Sequence, residues 1–147
     1  MGCRARKYEL REHCEGLPKR YQDRCAEYVG AGYLIAQPGD FPGALRTCAT
    51  LASPGAKKNC IFRLANVHMP TNFRNNLSEI VRLCGLLEPE RNSFCVGAAT
   101  IGIRFGASGP GNKKKSLCDE LKRDELKLKC AKVVATYHES QEHSHHH

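Results

Sequence analysis

Eight of the nine cysteines in this chain lie on a ruler. Cys14, Cys48, Cys84 and Cys118 are separated by 34, 36 and 34 residues, and Cys25, Cys60, Cys95 and Cys130 by 35 throughout. A fixed period of that size marks a repeat architecture, in which each unit leans on its neighbours for a shared core. Other columns follow the same ruler. Leu17, Leu51, Leu87 and Leu121 each stand three residues after the first cysteine of a pair. Ala26, Ile61, Val96 and Ala131 follow the second cysteine directly. Val29, Leu64, Ala99 and Val134 come four residues after it, and the small column Gly30, Ala65, Thr100 and Ala135 five after it. Offsets of 0, 1, 4, 5 and 8 from that cysteine trace one face of an α-helix and not an alternating strand.

Breakers fall where the ruler places turns. Pro18, Pro54-Gly55 and Pro89 lie inside the first three pairs, and Arg123-Asp124-Glu125 takes that place in the fourth. Between pairs come Gln37-Pro38-Gly39-Asp40, Met69-Pro70-Thr71-Asn72 and the run Gly106 to Asn112. Proline and glycine end helices for backbone reasons. The reading is an all-α fold of four tandem helical hairpins, α-solenoid-like, with one cysteine pair in each. Its helices are expected over 5–16, 20–36, 42–52, 56–69, 74–87, 91–105, 114–123 and 126–139. Residues 1–141 are expected to form a single domain, with repeats over 5–36, 42–69, 74–105 and 114–139. The tail over 142–147, with His143, His145, His146 and His147, has the composition of an affinity tag that binds nickel or zinc loosely.

Hairpin geometry predicts the pairing. Ten residues separate Cys14 from Cys25, with Pro18 near the middle. Two antiparallel arms of about one helical turn each put the cysteines face to face, near the Cα separation of about 5.5–6 Å that a disulfide needs. The expectation is Cys14–Cys25, Cys48–Cys60, Cys84–Cys95 and Cys118–Cys130. The alternatives are reduced thiols buried as small apolar side chains and a zinc site, although no C-x2–4-C knuckle is present. Disulfides imply an oxidising compartment. Cys3 is left over, a candidate for a link between two chains or for a lipid.

The repeat length and the paired helices resemble the tetratricopeptide-like superfamily. The disulfide-stapled Sel1-like repeats of secreted cysteine-rich proteins are nearest in plan. The resemblance covers residues 8–139 at the level of architecture, and those repeats set their cysteines closer together. The hairpins are also similar to the twin-cysteine helical hairpins of the mitochondrial intermembrane space, whose pairs are slightly tighter. The first resemblance implies protein binding in a secreted, periplasmic or lipid-anchored setting, and the second an intermembrane-space location. Both rest on fold analogy.

Chemistry is sparsely advertised. H-E-x-x-H, G-x-S-x-G and G-x-G-x-x-G do not occur, and His13, His68 and His138 each stand alone. Gly106 to Ser116 misses a phosphate-binding loop by one residue, Asn112, and no strand precedes it. Lys113, Lys114 and Lys115 remain a candidate anion site at a helix N-terminus. No resident metal or cofactor is expected, and the chain reads as non-enzymatic. The net charge of +8 favours anionic partners. It has two concentrations, seven Lys/Arg against four Asp/Glu over 4–24 and eight against four over 113–132. The first-choice partner is a protein or peptide with acidic character, met by a rim of Arg46, Arg74, Arg82 and Arg104. Nucleic acid or an anionic membrane is the second choice, since aromatics, at 7%, are too few for base stacking to be prominent. A thiol-redox or metal-handling role is the third. No apolar run is long enough to cross a membrane, and residues 1–7 lack the apolar core of a signal peptide.

Overall fold

The computed structural model describes residues 10–106 and 116–145, with side chains through Tyr137. The described residues are helical and contain no strand. In chain order the elements are α1 (10–15), α2 (Lys19–Ala26), α3 (Val29–Ala36), α4 (Phe41–Ala49), α5 (Pro54–Arg63), a π-helical turn (Leu64–His68), α6 (Met69–Asn72), α7 (Ser78–Cys84), α8 (Pro89–Phe105), a 3-10 turn (Leu117–Glu120) and α9 (Asp124–His145). They form four hairpins, each closed by its own disulfide: Cys14–Cys25, Cys48–Cys60, Cys84–Cys95 and Cys118–Cys130. Cα–Cα separations of 5.5, 5.4, 5.6 and 5.5 Å match the spacing argued from two one-turn arms.

The leucine column now has a cause. In every hairpin the leucine N–H donates to the carbonyl of the cysteine three residues back, at 3.2, 3.3, 3.1 and 3.2 Å. This bond tightens the end of the first arm into a 3-10 turn and turns the chain toward the second arm. Every second arm then begins six residues before its own cysteine, at Lys19, Pro54, Pro89 and Asp124. The spare residue that makes two of the pairs longer therefore sits in the turn. Only Pro18 or Glu88 separates leucine from helix in the first and third hairpins, whereas Ala52-Ser53 and Lys122-Arg123 do so in the second and fourth. Proline at the first helical position of α5 and α8 loses no hydrogen bond, because that N–H has no partner in a helix. Ser53 adds a side-chain cap to the Ala56 N–H at 3.0 Å.

The chain divides into two compact units, Met1–Leu64 and Ala65–His147. In the first, α2 packs on α5 and α3 on α4, around Val29, Phe41, Ala44, Leu45, Leu51, Ile61 and Leu64. In the second, α8 is the central helix. Cys95 through Ile103 are all buried, against α9, α7 and α6. Gly97 and Gly102 permit this closeness: a Cβ on Gly97 would stand 2.9 Å from Val133, and one on Gly102 only 2.0 Å from the Asn66 carbonyl oxygen. The column Val29, Leu64, Ala99, Val134 is buried at every position. The leucine column divides, with Leu51 and Leu121 buried and Leu17 and Leu87 half-buried.

Several expected helices change shape for local reasons. The helix expected over 20–36 breaks at Glu27-Tyr28, whose N–H groups bond only three residues back, to Arg24 and Cys25. The helix expected over 56–69 widens at Leu64–His68 and continues to Asn72. Pro70 has no N–H for the Asn66 carbonyl, and its ring would clash there, so the ladder slips by a residue. The helix expected over 74–87 shrinks to Ser78–Cys84. Ser78 bonds Asn76 side chain to side chain at 3.0 Å, a local arrangement that competes with helix. Of the helix expected over 114–123, residues 114 and 115 lie outside the described residues, and from Ser116 on there is a 3-10 turn, Leu117–Glu120, opened by the Ser116 hydroxyl accepting from the Cys118 N–H. Asp124 and Glu125, read as a turn, instead start α9, where carboxylates suit the positive end of the helix. That helix runs to His145.

Candidate functional site

Two surface hollows gather cationic side chains, one in each unit. The first is a cavity of about 260 Å³ lined by Arg11, Val29, Tyr33, Gly43, Arg46, Thr47 and Thr50. The Asp40 carboxylate caps α4, accepting the Gly43 N–H at 3.0 Å, and it also accepts from the Tyr33 hydroxyl. The Thr47 hydroxyl donates to the Gly43 carbonyl at 2.9 Å, and the Thr50 hydroxyl to the Thr47 carbonyl at 2.7 Å. Arg11, from α1, donates through Nη1 to Thr50 Oγ1 at 3.0 Å. Arg46 stands exposed in the last turn of α4. Two guanidiniums thus meet one hollow, and no carboxylate is among its lining residues. The volume lies below the range of about 300–1,000 Å³ usual for small-molecule clefts, so it suits a side chain or a terminus better than a cofactor.

The second hollow, about 530 Å³, lies between α7 and the turn of the fourth hairpin. Val81, Leu121 and Leu126 give it apolar walls, and Arg82, Lys122, Arg123 and Glu120 charged ones. Arg82 grips Glu79 through Nε, at 2.9 and 3.0 Å to the two carboxylate oxygens, and through Nη2. That hydrogen bonding, with the attraction of the adjacent charge, holds the Glu79 carboxyl below its ordinary pKa and the Arg82 guanidinium above its own. Arg123 pairs with Glu125 at 3.1 Å.

The arginines expected to form a rim are distributed differently. Arg46 and Arg82 each border a hollow, in separate units. Arg74 is exposed in the turn after α6, and Arg104 is half-buried in the last turn of α8; neither lines a described hollow. Lys113, Lys114, Lys115 and Cys3 lie outside the described residues, as do the side chains of His143, His145, His146 and His147. No group of three or more His, Cys, Asp or Glu suited to a metal occurs among the described residues. No described helix is long and apolar enough to cross a membrane. Arg11, Lys122 and Arg123 were not among the expected site residues; Lys122 and Arg123 read as part of a turn and a basic stretch, and only the fold brings Arg11 beside Arg46 and the Lys122-Arg123 pair beside Arg82.

No family model, curated protein or solved structure matches this chain significantly.

Proposed function

We propose that the protein is a non-enzymatic binding or scaffold module of an extracytoplasmic compartment, and that its partner is a protein or peptide with acidic groups. The observation that carries this reading is the meeting of Arg11 and Arg46 at one hollow, on hairpins closed by Cys14–Cys25 and Cys48–Cys60. The disulfides fix the backbone of the arms that carry both arginines, so little backbone freedom is lost on binding, and their forked donors suit carboxylates. The four disulfides fit an oxidising compartment; the finer assignment, secreted, periplasmic or lipid-anchored, belongs to the proposal. Kinship with tetratricopeptide-like repeats is part of it too, supported by hairpins that repeat one turn and one register.

The test is affinity capture from the native extracytoplasmic fraction, followed by direct binding measurements with the captured protein. An Arg11→Ala/Arg46→Ala variant that keeps its circular dichroism should bind at least about tenfold more weakly, since arginine anchors often cost more than 1 kcal/mol on truncation. Unchanged affinity would remove the hollow from the account. Retention of only anionic vesicles or oligonucleotides, with a steep salt dependence, would replace the protein partner with the second-choice class.

A further inference from the structure

The exposed face of α2 carries a cluster that neither hollow contains. Arg20, Tyr21 and Arg24 fall within about 100° of arc at 100° per residue, and Tyr28 follows at the break between α2 and α3. All are exposed, Tyr21 at 48% and Tyr28 at 50%. Each of the two rings has an arginine beside it. The Arg20 guanidinium lies 4.7 Å from the centre of the Tyr21 ring, and Arg63 of α5 lies 5.5 Å from that of Tyr28. Arg63 is carried on the same hairpin arm as Cys60, so a stapled helix supports the second ring. The nearby carboxylates form no ion pair with these arginines among the described residues. Asp23 accepts from the Ser53 hydroxyl at 3.1 Å on the other side of α2, and Glu27 makes no ion pair with a described residue. Arg20, Arg24 and Arg63 likewise have no carboxylate partner among the described residues.

We infer that this face, Arg20, Tyr21, Arg24, Tyr28 and Arg63, is a docking surface for an acidic protein segment. The inference rests on the binding reading above and names a second, separate contact surface for it. Tyrosine and arginine dominate the residues that carry binding energy at protein interfaces. The ring contacts help to hold the Arg20 and Arg63 guanidiniums in place, and forked N–H donors suit paired carboxylate oxygens. Nucleic acid fits less well. Each ring already has an arginine over a face, which reduces the open surface for base stacking.

The test uses the full oxidised chain, labelled for backbone amide resonances, and a short peptide alternating glutamate with leucine. Shifts concentrated at 19–28 and around Arg63 are expected. Tyr21→Ala/Tyr28→Ala and Arg20→Gln/Arg24→Gln should each weaken binding about tenfold or more. Circular dichroism checks folding; should the tyrosine variant misfold, the arginine variant, which removes only exposed charge, decides. Shifts centred instead on Arg11 and Arg46, or on Lys122 and Arg123, would overturn this face and leave the acidic-partner reading standing. Failure of the peptide to bind, while a captured native partner binds equally to wild type and both variants, would overturn the face alone. Failure of both peptide and capture would overturn the two together. Tighter binding of oligothymidylate than of the peptide, at equal salt, would overturn the choice of a protein partner.

Discussion

At the scale of the residue, the leucine column shows how one position serves two purposes. All four leucines close the turn with the same backbone bond to cysteine, but only Leu51 and Leu121 are also buried. Backbone closure does not depend on the side chain, so the cost of truncation follows burial. Leu51→Ala is expected to destabilise by roughly 2–5 kcal/mol, as buried leucines do when a cavity is left, and Leu87→Ala by clearly less. Urea unfolding of the two variants checks the order, and equal losses would contradict it. The charged pair at the second hollow gives a different prediction. Because Arg82 hydrogen-bonds the Glu79 carboxylate, Glu79 titrates below its ordinary value. Any stability it lends is present above the unfolded carboxylate range and is lost as pH falls through the depressed folded value. Arg82 is exposed and Glu79 only half-buried at the surface, so that share is small. NMR titration should show Glu79 moving up toward the ordinary value in Arg82→Gln, and no movement would show that the pair does not persist in solution.

At the scale of the element, the helices other than α8 and α9 span ten residues or fewer, and a staple closes every hairpin. A disulfide closing a loop of about 12 residues contributes on the order of 3 kcal/mol by restricting the unfolded chain. Replacing Cys48 and Cys60 by alanine is therefore expected to cost about 2–4 kcal/mol, read as a lowered denaturant midpoint. A loss under about 0.5 kcal/mol would mean that the helices hold the hairpin alone. Much of this scale was legible in the sequence. The period fixed the number of hairpins and the offsets fixed the buried column, because both follow from spacing along a helix. The breaks were not legible. Pro70 was visible as a breaker, but a proline can end a helix or, as here, widen the turn before it and let the helix continue to Asn72, and spacing does not choose between the two. The start of α9 at Asp124 was hidden because a charged tripeptide serves as well for a turn as for a helix N-terminus. The candidate site was less legible still. Arg46 and Arg82 were visible as charges, whereas Arg11, Lys122 and Arg123 gain meaning only from tertiary convergence. The Tyr21–Arg24–Tyr28 spacing, three and then four residues, was the one signal of the α2 face.

At the scale of the whole molecule, a longer period lies over the shorter one. Cys14 and Cys84, Cys25 and Cys95, Cys48 and Cys118, and Cys60 and Cys130 are each 70 residues apart. Leu17 and Leu87, Leu51 and Leu121, and the closely packed Gly32 and Gly102 keep the same offset. Each compact unit thus holds one short-turn hairpin followed by one long-turn hairpin. The alternation accounts for the uneven 34, 36, 34 spacing of the first cysteines beside the even spacing of the second. All of this stands on local pairing, and tryptic peptide mapping without reduction tests that pairing directly. Lysine or arginine lies between the two cysteines of every pair and between every pair and the next, so trypsin separates all eight. Linked peptides are expected for Cys14–Cys25, Cys48–Cys60, Cys84–Cys95 and Cys118–Cys130 alone, collapsing to single-cysteine peptides on reduction. A majority of links between cysteines of different hairpins, or eight free thiols in protein kept in its native compartment, would contradict this pairing.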